Sequence, residues 1–422
     1  MDFMATGKVL AGKGLALRCI DCGRAVRLDE SEETCPSCGG NLSVEYDYAG
    51  LKRFVTRKRL AAISDPSIWR YLDLLPVEDR RLVPSPWVGG TPLYRAPKFE
   101  RALGLARVYV KDDGRNPSAS FKDRASAVVV ARALQGGKKV VATASTGNAA
   151  SSLACLAANL PLKTIIFVPK TAPAPKLAQL LVFGTTVITV DGTYDDAFDL
   201  CREACRRYGW YNRSTGVNPF TREGKKTCAF ELCEQLSWEV PDNVFVSVGD
   251  GNIISGIWKG FTEFRTLGLI NRLPKLVAVQ AGTSDAVARA LKGDGKIKPV
   301  AGKTIADSIS VSLPRDGAAA VKAVRESGGF AVTVKDTEIL AAMRDVARGA
   351  GVYAEPAAAA AYAGLAKAAR GGLIKSRESA VVLISGNGLK DTASALKAAG
   401  KPHFISPDLK SLEKLIRREK LV

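Results

Sequence analysis

Eight short, almost wholly apolar runs recur between residues 107 and 384, with longer amphipathic stretches between them, and nothing else in the sequence restricts the fold so tightly. The runs are RVYVK (107–111), KVVATA (139–144), TIIFV (164–168), TVITV (186–190), VFVSV (244–248), LVAVQ (276–280), FAVTV (330–334) and AVVLI (380–384). A strand that is apolar on both faces has to be covered on both, which parallel sheets flanked by helices achieve. Helical patterns begin near Phe121, Gly147, Pro175, Tyr194, Glu223, Ile253, Asp316, Asp336, Pro356 and Gly388. The expected class is therefore α/β, with doubly wound parallel sheets whose ligands sit at the carboxyl ends of strands. The alanine-rich stretch 354–370 reads as a helix within that pattern rather than as low-complexity sequence.

At 422 residues the chain is too long for one ordinary domain. Residues 1–46 are short, cysteine-rich and separable, like a zinc ribbon. Residues 47–106 carry tryptophans and prolines that suggest an arm of short elements and turns packing on a large lobe. The division expected beyond the arm is a smaller α/β lobe over 107–212, a larger one over 213–405, and a C-terminal helix or tail over 406–422. A composition of 46% hydrophobic and 24% charged residues supports a large buried core. No run of eighteen apolar residues predicts a membrane span, and the start lacks the long apolar block of a signal peptide.

The side chains on offer narrow the chemistry. Only one histidine is present, His403, which excludes histidine triads and multi-histidine metal sites. Catalysis has to run on lysine, hydroxyls, carboxylates or a cofactor. The net charge of +19 favours anionic ligands, but the basic residues are scattered and form no stripe suited to nucleic acid. Nine cysteines, four of them in two CxxC pairs, suggest reduced thiols with one metal site, and the cytoplasm is the expected compartment.

CIDC (Cys19, Cys22) and CPSC (Cys35, Cys38) have the spacing of two knuckles that bring four thiolates to a tetrahedral zinc. Four thiolates leave the metal no open position, so its expected role is structural. Cys155, Cys201, Cys205, Cys228 and Cys233 fall on helical patterns and read as core fillers. In NPSASFKDRASAVVVARAL (116–134), Lys122 stands at a helix start after a turn of small residues, where its amine can project into a cleft. ASTGNAA (144–150) runs directly from a strand into a helix, so Ser145, Thr146, Asn148 and the turn's N–H groups make an anion cradle suited to a substrate carboxylate. SVGDGNIISG (247–256) does the same through glycines, and the amides of Gly249, Asp250, Gly251, Asn252 and Ile253 can wrap a phosphate. It has neither the GK[ST] of a Walker loop nor the GxGxxG dinucleotide spacing. VVLISGNGLKD (381–391) ends a strand with Ser385, a hydroxyl placed to bond a cofactor ring nitrogen.

Taken in order, these motifs resemble the threonine synthase branch of the fold type II pyridoxal-phosphate enzymes over about residues 15–400. WVGGTPLYR (87–95), YVKDDGRNPSASFKDR (109–124), STGN (145–148), NPFTREGKKT (218–227), AEPAAAA (354–360) and SGNGLKD (385–391) carry the resemblance. It implies two lobes like those of tryptophan synthase β, and pyridoxal 5′-phosphate as cofactor. By the same resemblance Lys122 is the Schiff-base lysine, Asn148 partners the cofactor's 3′-oxygen, the 249–253 turn holds its phosphate, and Ser385 faces its pyridine nitrogen where threonine is usual. The implied reaction eliminates phosphate from O-phosphohomoserine and adds water to give threonine, with a homodimer as the usual assembly.

The departures lie around the substrate. The family segment resembles NSxNPxRLEGQKT, whose asparagine, serine and arginine contact the substrate phosphate. Here TGVNPFTREGKKT (215–227) has Thr221 in place of that arginine, leaving Arg222 and Lys225 as the neighbouring cations expected to bind phosphate. Ala149 replaces a common threonine, and ADSISVSLPRDG (306–317) also departs from the pattern. Two alternatives stay open. One is a related enzyme acting on O-phosphoserine with sulfide or sulfite, or a serine or threonine dehydratase. The other is a ribbon-bearing binding module with an inactive catalytic part.

Overall fold

A computed structural model describes residues 14–28 and 33–421, so the outermost part of the N-terminal segment, residues 29–32 and Val422 lie outside it. Three strands form the ribbon: β1 (Ala16–Cys19), β2 (Ala25–Val26) and β3 (Leu42–Glu45), antiparallel in the order β2-β1-β3. Ten more follow in chain order. They are β4 (Leu93–Arg95), β5 (Arg107–Asp112), β6 (Val140–Ala144), β7 (Lys163–Pro169), β8 (Thr186–Val190), β9 (Tyr211–Asn212), β10 (Asn243–Ser247), β11 (Lys275–Ala281), β12 (Phe330–Val334) and β13 (Ser379–Ile384). One sheet has the order β12-β11-β10-β13-β5-β4, parallel except for its antiparallel edge strand β4. The other, β8-β7-β6-β9, is parallel throughout.

The apolar runs are continuous because each central strand feeds two cores. Val381 and Leu383 of β13 point into one apolar cluster with the helices Lys122–Gln135, Phe220–Gln235 and Asn252–Thr266. Ala380, Val382 and Ile384, one step along, join a second cluster under the helices Asp336–Ala350 and Pro356–Arg370. The two-residue period of a strand thus places both sets indoors. The alanines of Pro356–Arg370 bring that helix close to the sheet.

Spatial order corrects one expectation from chain order. A division at residue 107 puts β5 in the smaller lobe, but β5 pairs with β13 along its whole length and belongs to the six-stranded sheet. The smaller sheet starts at β6. Within the segment 47–106, Tyr71 lies 5.1 Å from Phe230, which stacks on Phe264 at 4.1 Å. Near the C-terminus a helix spans Leu409–Glu419 and buries none of its residues.

Candidate active site

β6, β10 and β13 all end at one cavity of about 570 Å³. Its wall includes Lys122, Ser145, Thr146, Asn148, Lys225, Gly249, Asp250, Gly251, Asn252, Ile253 and Ser385, so residues from five separate sequence motifs come together. Lys122 arrives there because its turn is stitched to the end of β13. Phe121 N–H donates to the Ser385 carbonyl at 2.9 Å, Asn387 N–H donates to the Ala119 carbonyl at 3.0 Å, and Ser120 bridges Gly386. Ala119 takes a left-handed φ of 61°, a strained conformation for a residue with a Cβ, and such strain collects at functional sites. Behind the lysine, the Arg124 guanidinium donates to Asp113 at 2.6 Å and to Glu231 at 2.6 and 2.8 Å, all three side chains being dry. On the helix Phe220–Gln235, Gly224 lets the two helices touch, for a Cβ there would sit 1.8 Å from the Arg124 carbonyl oxygen.

The glycine turn closes tightly on the other side. Gly251 caps the helix Asn252–Thr266 with φ 95° and no side-chain cap, so first-turn N–H groups stay available at the positive helix end. A Cβ on Gly251 would meet the Asp316 carbonyl at 2.7 Å, so only glycine lets the turn approach that segment. Asn148 Nδ2 donates to Glu355 at 2.9 Å and to Ser308 Oγ at 3.2 Å. Ser247 Oγ, also on the cavity wall, is buried without a hydrogen-bond partner among the described residues.

The electrostatics favour an anion. The Lys122 amine makes no hydrogen bond or ion pair with a described residue. Burial pushes it below the ordinary lysine range, the Arg213 guanidinium adds to the push, and the Asp250 and Glu355 carboxylates oppose it. Burial also drives Lys225 well below that range, helped by the charges of Lys122 and Arg213. Lys225 Nζ donates to Asn252 Oδ1 at 2.5 Å and has no carboxylate in ion-pair reach among the described residues. Arg213, fully buried against Ser126 and Thr215, is pushed down to about 10 by burial. Burial raises Asp250 and Glu355. A phosphate-bearing aldehyde suits this arrangement: free helix N–H groups, an unpartnered serine hydroxyl and a poorly solvated amine are the donor set it needs. An amine of depressed pKa beside such a group can act as nucleophile and then as base.

Arg222 departs from expectation. It does not line the cavity, because its guanidinium donates to both oxygens of Asp316 at 2.7 and 2.8 Å and to the Leu42 carbonyl at 3.0 Å. Glu355, Ser308, Asp316, Lys303 and Arg315 had been given no role from the sequence. Glu355 lies within the quoted AEPAAAA motif, whereas Asp316 carries no local signal, since its partners come from three distant segments.

Cys19, Cys22, Cys35 and Cys38 stand apart from the cavity with all four sulfurs within 4.8 Å of one another. Two separations are 3.5 and 3.7 Å, against the edge of about 3.8 Å that four 2.3 Å zinc–sulfur bonds require. The N–H of Cys22 points at Cys19 Sγ, 3.5 Å away, as a knuckle directs amides to its thiolates. The cluster fits a structural zinc site. Among the described residues no helix is long and apolar enough to cross a membrane.

Known proteins agree with this geometry. Residues 84–386 match the family model described as pyridoxal-phosphate dependent enzyme. The threonine synthase of Methanocaldococcus jannaschii is 41% identical over 403 residues, covering 95% of this chain and 99% of the relative. That of Methanosarcina acetivorans is 38% identical over 403 residues, covering 95% and 98%. Among solved structures, maize serine racemase is similar with a TM-score of 0.62 at 22% identity, covering 78% of this chain and 93% of that one. Processed threonine deaminase isoform 2 of Solanum lycopersicum gives 0.61 at 23%, covering 74% and 83%. These last two likenesses bear on fold alone. From the family match and the long relatives together, the chain belongs to the pyridoxal-phosphate dependent enzymes, in their threonine synthase branch.

Proposed function

We propose that this cavity converts O-phosphohomoserine and water to threonine and inorganic phosphate, with Lys122 as the catalytic amine. The observation that carries this reading is the convergence on one cavity of a hydrogen-bond-free, acidified lysine, a glycine turn at a helix N-terminus and a second anion cradle. Pyridoxal phosphate, when bound, would stabilise the charge left as protons leave the substrate's Cα and Cβ, so that phosphate departs from Cγ, a proton returns to Cγ, water adds at Cβ and a proton returns to Cα.

The amides of Gly249, Asp250, Gly251, Asn252 and Ile253 would hold the cofactor's phosphate. Asn148, whose amide donates to Glu355 and Ser308 in this structure, would turn one of those N–H groups to the cofactor's 3′-oxygen. Ser385, on the cavity wall, would bond the ring nitrogen with a neutral hydroxyl, which would favour elimination over transamination. Ser145, Thr146, Asn148 and the helix N–H groups behind them hold the substrate carboxylate. Lys122 Nζ would hold the cofactor's aldehyde carbon, and its amine would take the substrate's Cα and Cβ protons and return protons to Cγ and Cα. Lys225 and Lys303, both on the wall, grip the substrate's phosphate in place of the arginine the family uses.

A phosphorylated substrate, a homodimer and a cytoplasmic setting, where thiolates stay reduced for the metal, belong to the same reading. The test is phosphate release with product identification on O-phosphohomoserine and O-phosphoserine separately. Threonine and phosphate from O-phosphohomoserine are expected. Phosphate released from O-phosphoserine alone replaces this assignment with the other open reaction.

A further inference from the structure

The ribbon meets the segment beside the glycine turn through the Leu42 carbonyl, bonded by Arg222, and directly through the side chain of Asn41. Asn41 Nδ2 donates to the Arg315 carbonyl at 2.7 Å and to Asp316 Oδ1 at 2.8 Å, across 275 residues of chain. Both partners are acceptors, so the amide's orientation is fixed by chemistry. Asp316 is dry and central. Its carboxylate takes hydrogen bonds from Asn252 Nδ2 at 2.7 Å and Ser255 Oγ at 3.0 Å, both in the first turn of the helix that follows the glycine turn. Its backbone N–H donates to the Asp250 carbonyl at 2.8 Å, and the Arg315 N–H donates to Asp250 Oδ1 at 3.2 Å.

Asn41 is itself held by the metal knuckles. Its own carbonyl accepts from Ile20 N–H at 2.9 Å, beside Cys19, and the carbonyl of Gly40 accepts from Cys35 N–H at 2.8 Å. Cys19 pairs with Leu42 in the ribbon's ladder. Two of the four sulfur-bearing residues therefore fix the backbone on either side of Asn41.

We infer that Asn41 is a positioning residue, which ties the four-cysteine site to the 249–253 turn through Asp316 and so couples metal loading to cofactor retention. This rests on the reading of that turn as the cofactor's phosphate site. With the metal absent, the knuckles release residues 40–41, the Arg315 carbonyl and the Asp316 carboxylate each lose their bond from Asn41, and the turn is less sharply held.

The experiment follows loss of pyridoxal phosphate from full-length holoenzyme by its visible absorbance, with zinc content measured alongside. Asn41→Ala is expected to lose cofactor about tenfold faster than wild type while keeping its zinc, the scale of one hydrogen bond to a charged group. Asn41→Asp, which sets a carboxylate against Asp316, speeds the loss further. Glu45→Ala, on the same ribbon strand but with a side chain bonded to Arg18 alone among the described residues, loses cofactor at the wild-type rate. Removing zinc with a chelator speeds loss in wild type and has a smaller effect in Asn41→Ala, where only the route through Leu42 and Arg222 to Asp316 remains. Wild-type retention in both Asn41 variants, or an equal response of wild type and Asn41→Ala to the chelator, overturns the inference. A wild-type chain that takes up no pyridoxal phosphate overturns the proposed function instead.

Discussion

Replacing Arg222 by alanine separates a buried structural cation from one that grips substrate. The guanidinium and Asp316 form a dry pair, with side-chain exposures of 5% and 0%. Removing one partner of such a pair costs about 3–5 kcal/mol, because the surviving charge stays buried. Asn41, Asn252 and Ser255 still donate to Asp316, which holds the loss near about 3 kcal/mol. The bond to the Leu42 carbonyl goes too and adds about 1 kcal/mol. Unfolding entropy of about 2.1 cal/mol/K per residue gives about 0.9 kcal/mol/K for 422 residues melting together, so Tm falls by about 4 °C. Differential scanning calorimetry and steady-state kinetics, run on the same preparation, decide the matter. KM for O-phosphohomoserine should stay within about threefold of wild type, since the side chain lies outside the cavity wall. An arginine bonded directly to the substrate's phosphate would raise KM about tenfold or more with little change in Tm. That pattern would refute the assignment of Arg222 to Asp316.

Lys225→Ala should show the opposite pattern, a raised KM for the phosphorylated substrate with Tm held or increased, because the lysine is buried without a carboxylate partner; an unchanged KM removes it from the phosphate pocket. Cofactor capture needs the neutral Lys122 amine, whose pKa burial and Arg213 depress. The capture rate should therefore rise with pH and level off below the ordinary lysine value of 10.5, and Arg213→Met should move the plateau upward. A wild-type rate still climbing past that value contradicts the burial argument. Gly251→Ala combines a left-handed φ with a Cβ 2.7 Å from the Asp316 carbonyl, so cofactor affinity should drop about tenfold; binding titrations that match wild type would show that the turn is not so constrained. Arg124→Met breaks the dry network with Asp113 and Glu231 and should cost about 3–5 kcal/mol in denaturant unfolding, against less than about 1 kcal/mol if the network were surface-like.

All eight strands expected from apolar runs exist, none off by more than one residue at either end, because burial of consecutive positions marks a strand in the sequence. β4 and β9 escaped, being three and two residues long and too short to show a period. β5 was assigned to the wrong sheet because its partner β13 lies far along the chain, and local sequence carries no record of pairing order. Lys122 and the turns at 145–148 and 249–253 were legible since each joins a strand to a helix, a junction that marks itself with small residues.

Arg222 was misread for a physical reason. The helix Phe220–Gln235 is buried on every side through Cys233, so its charged residues Arg222, Glu223, Lys225, Lys226 and Glu231 show no polar face from which to tell a cavity from an ion pair. Asn41 and Asp316 were invisible for a simpler one. Their bond is a property of the assembled fold, and neither neighbourhood in sequence hints at the other.

Borohydride reduction of the holoenzyme, followed by mass mapping of the peptides, bears most directly on the account, since two acidified lysines share one cavity. A single pyridoxyl group fixed on Lys122, absent from Lys122→Ala, is the expected outcome. Label on Lys225 instead, or none retained on any lysine, would contradict it.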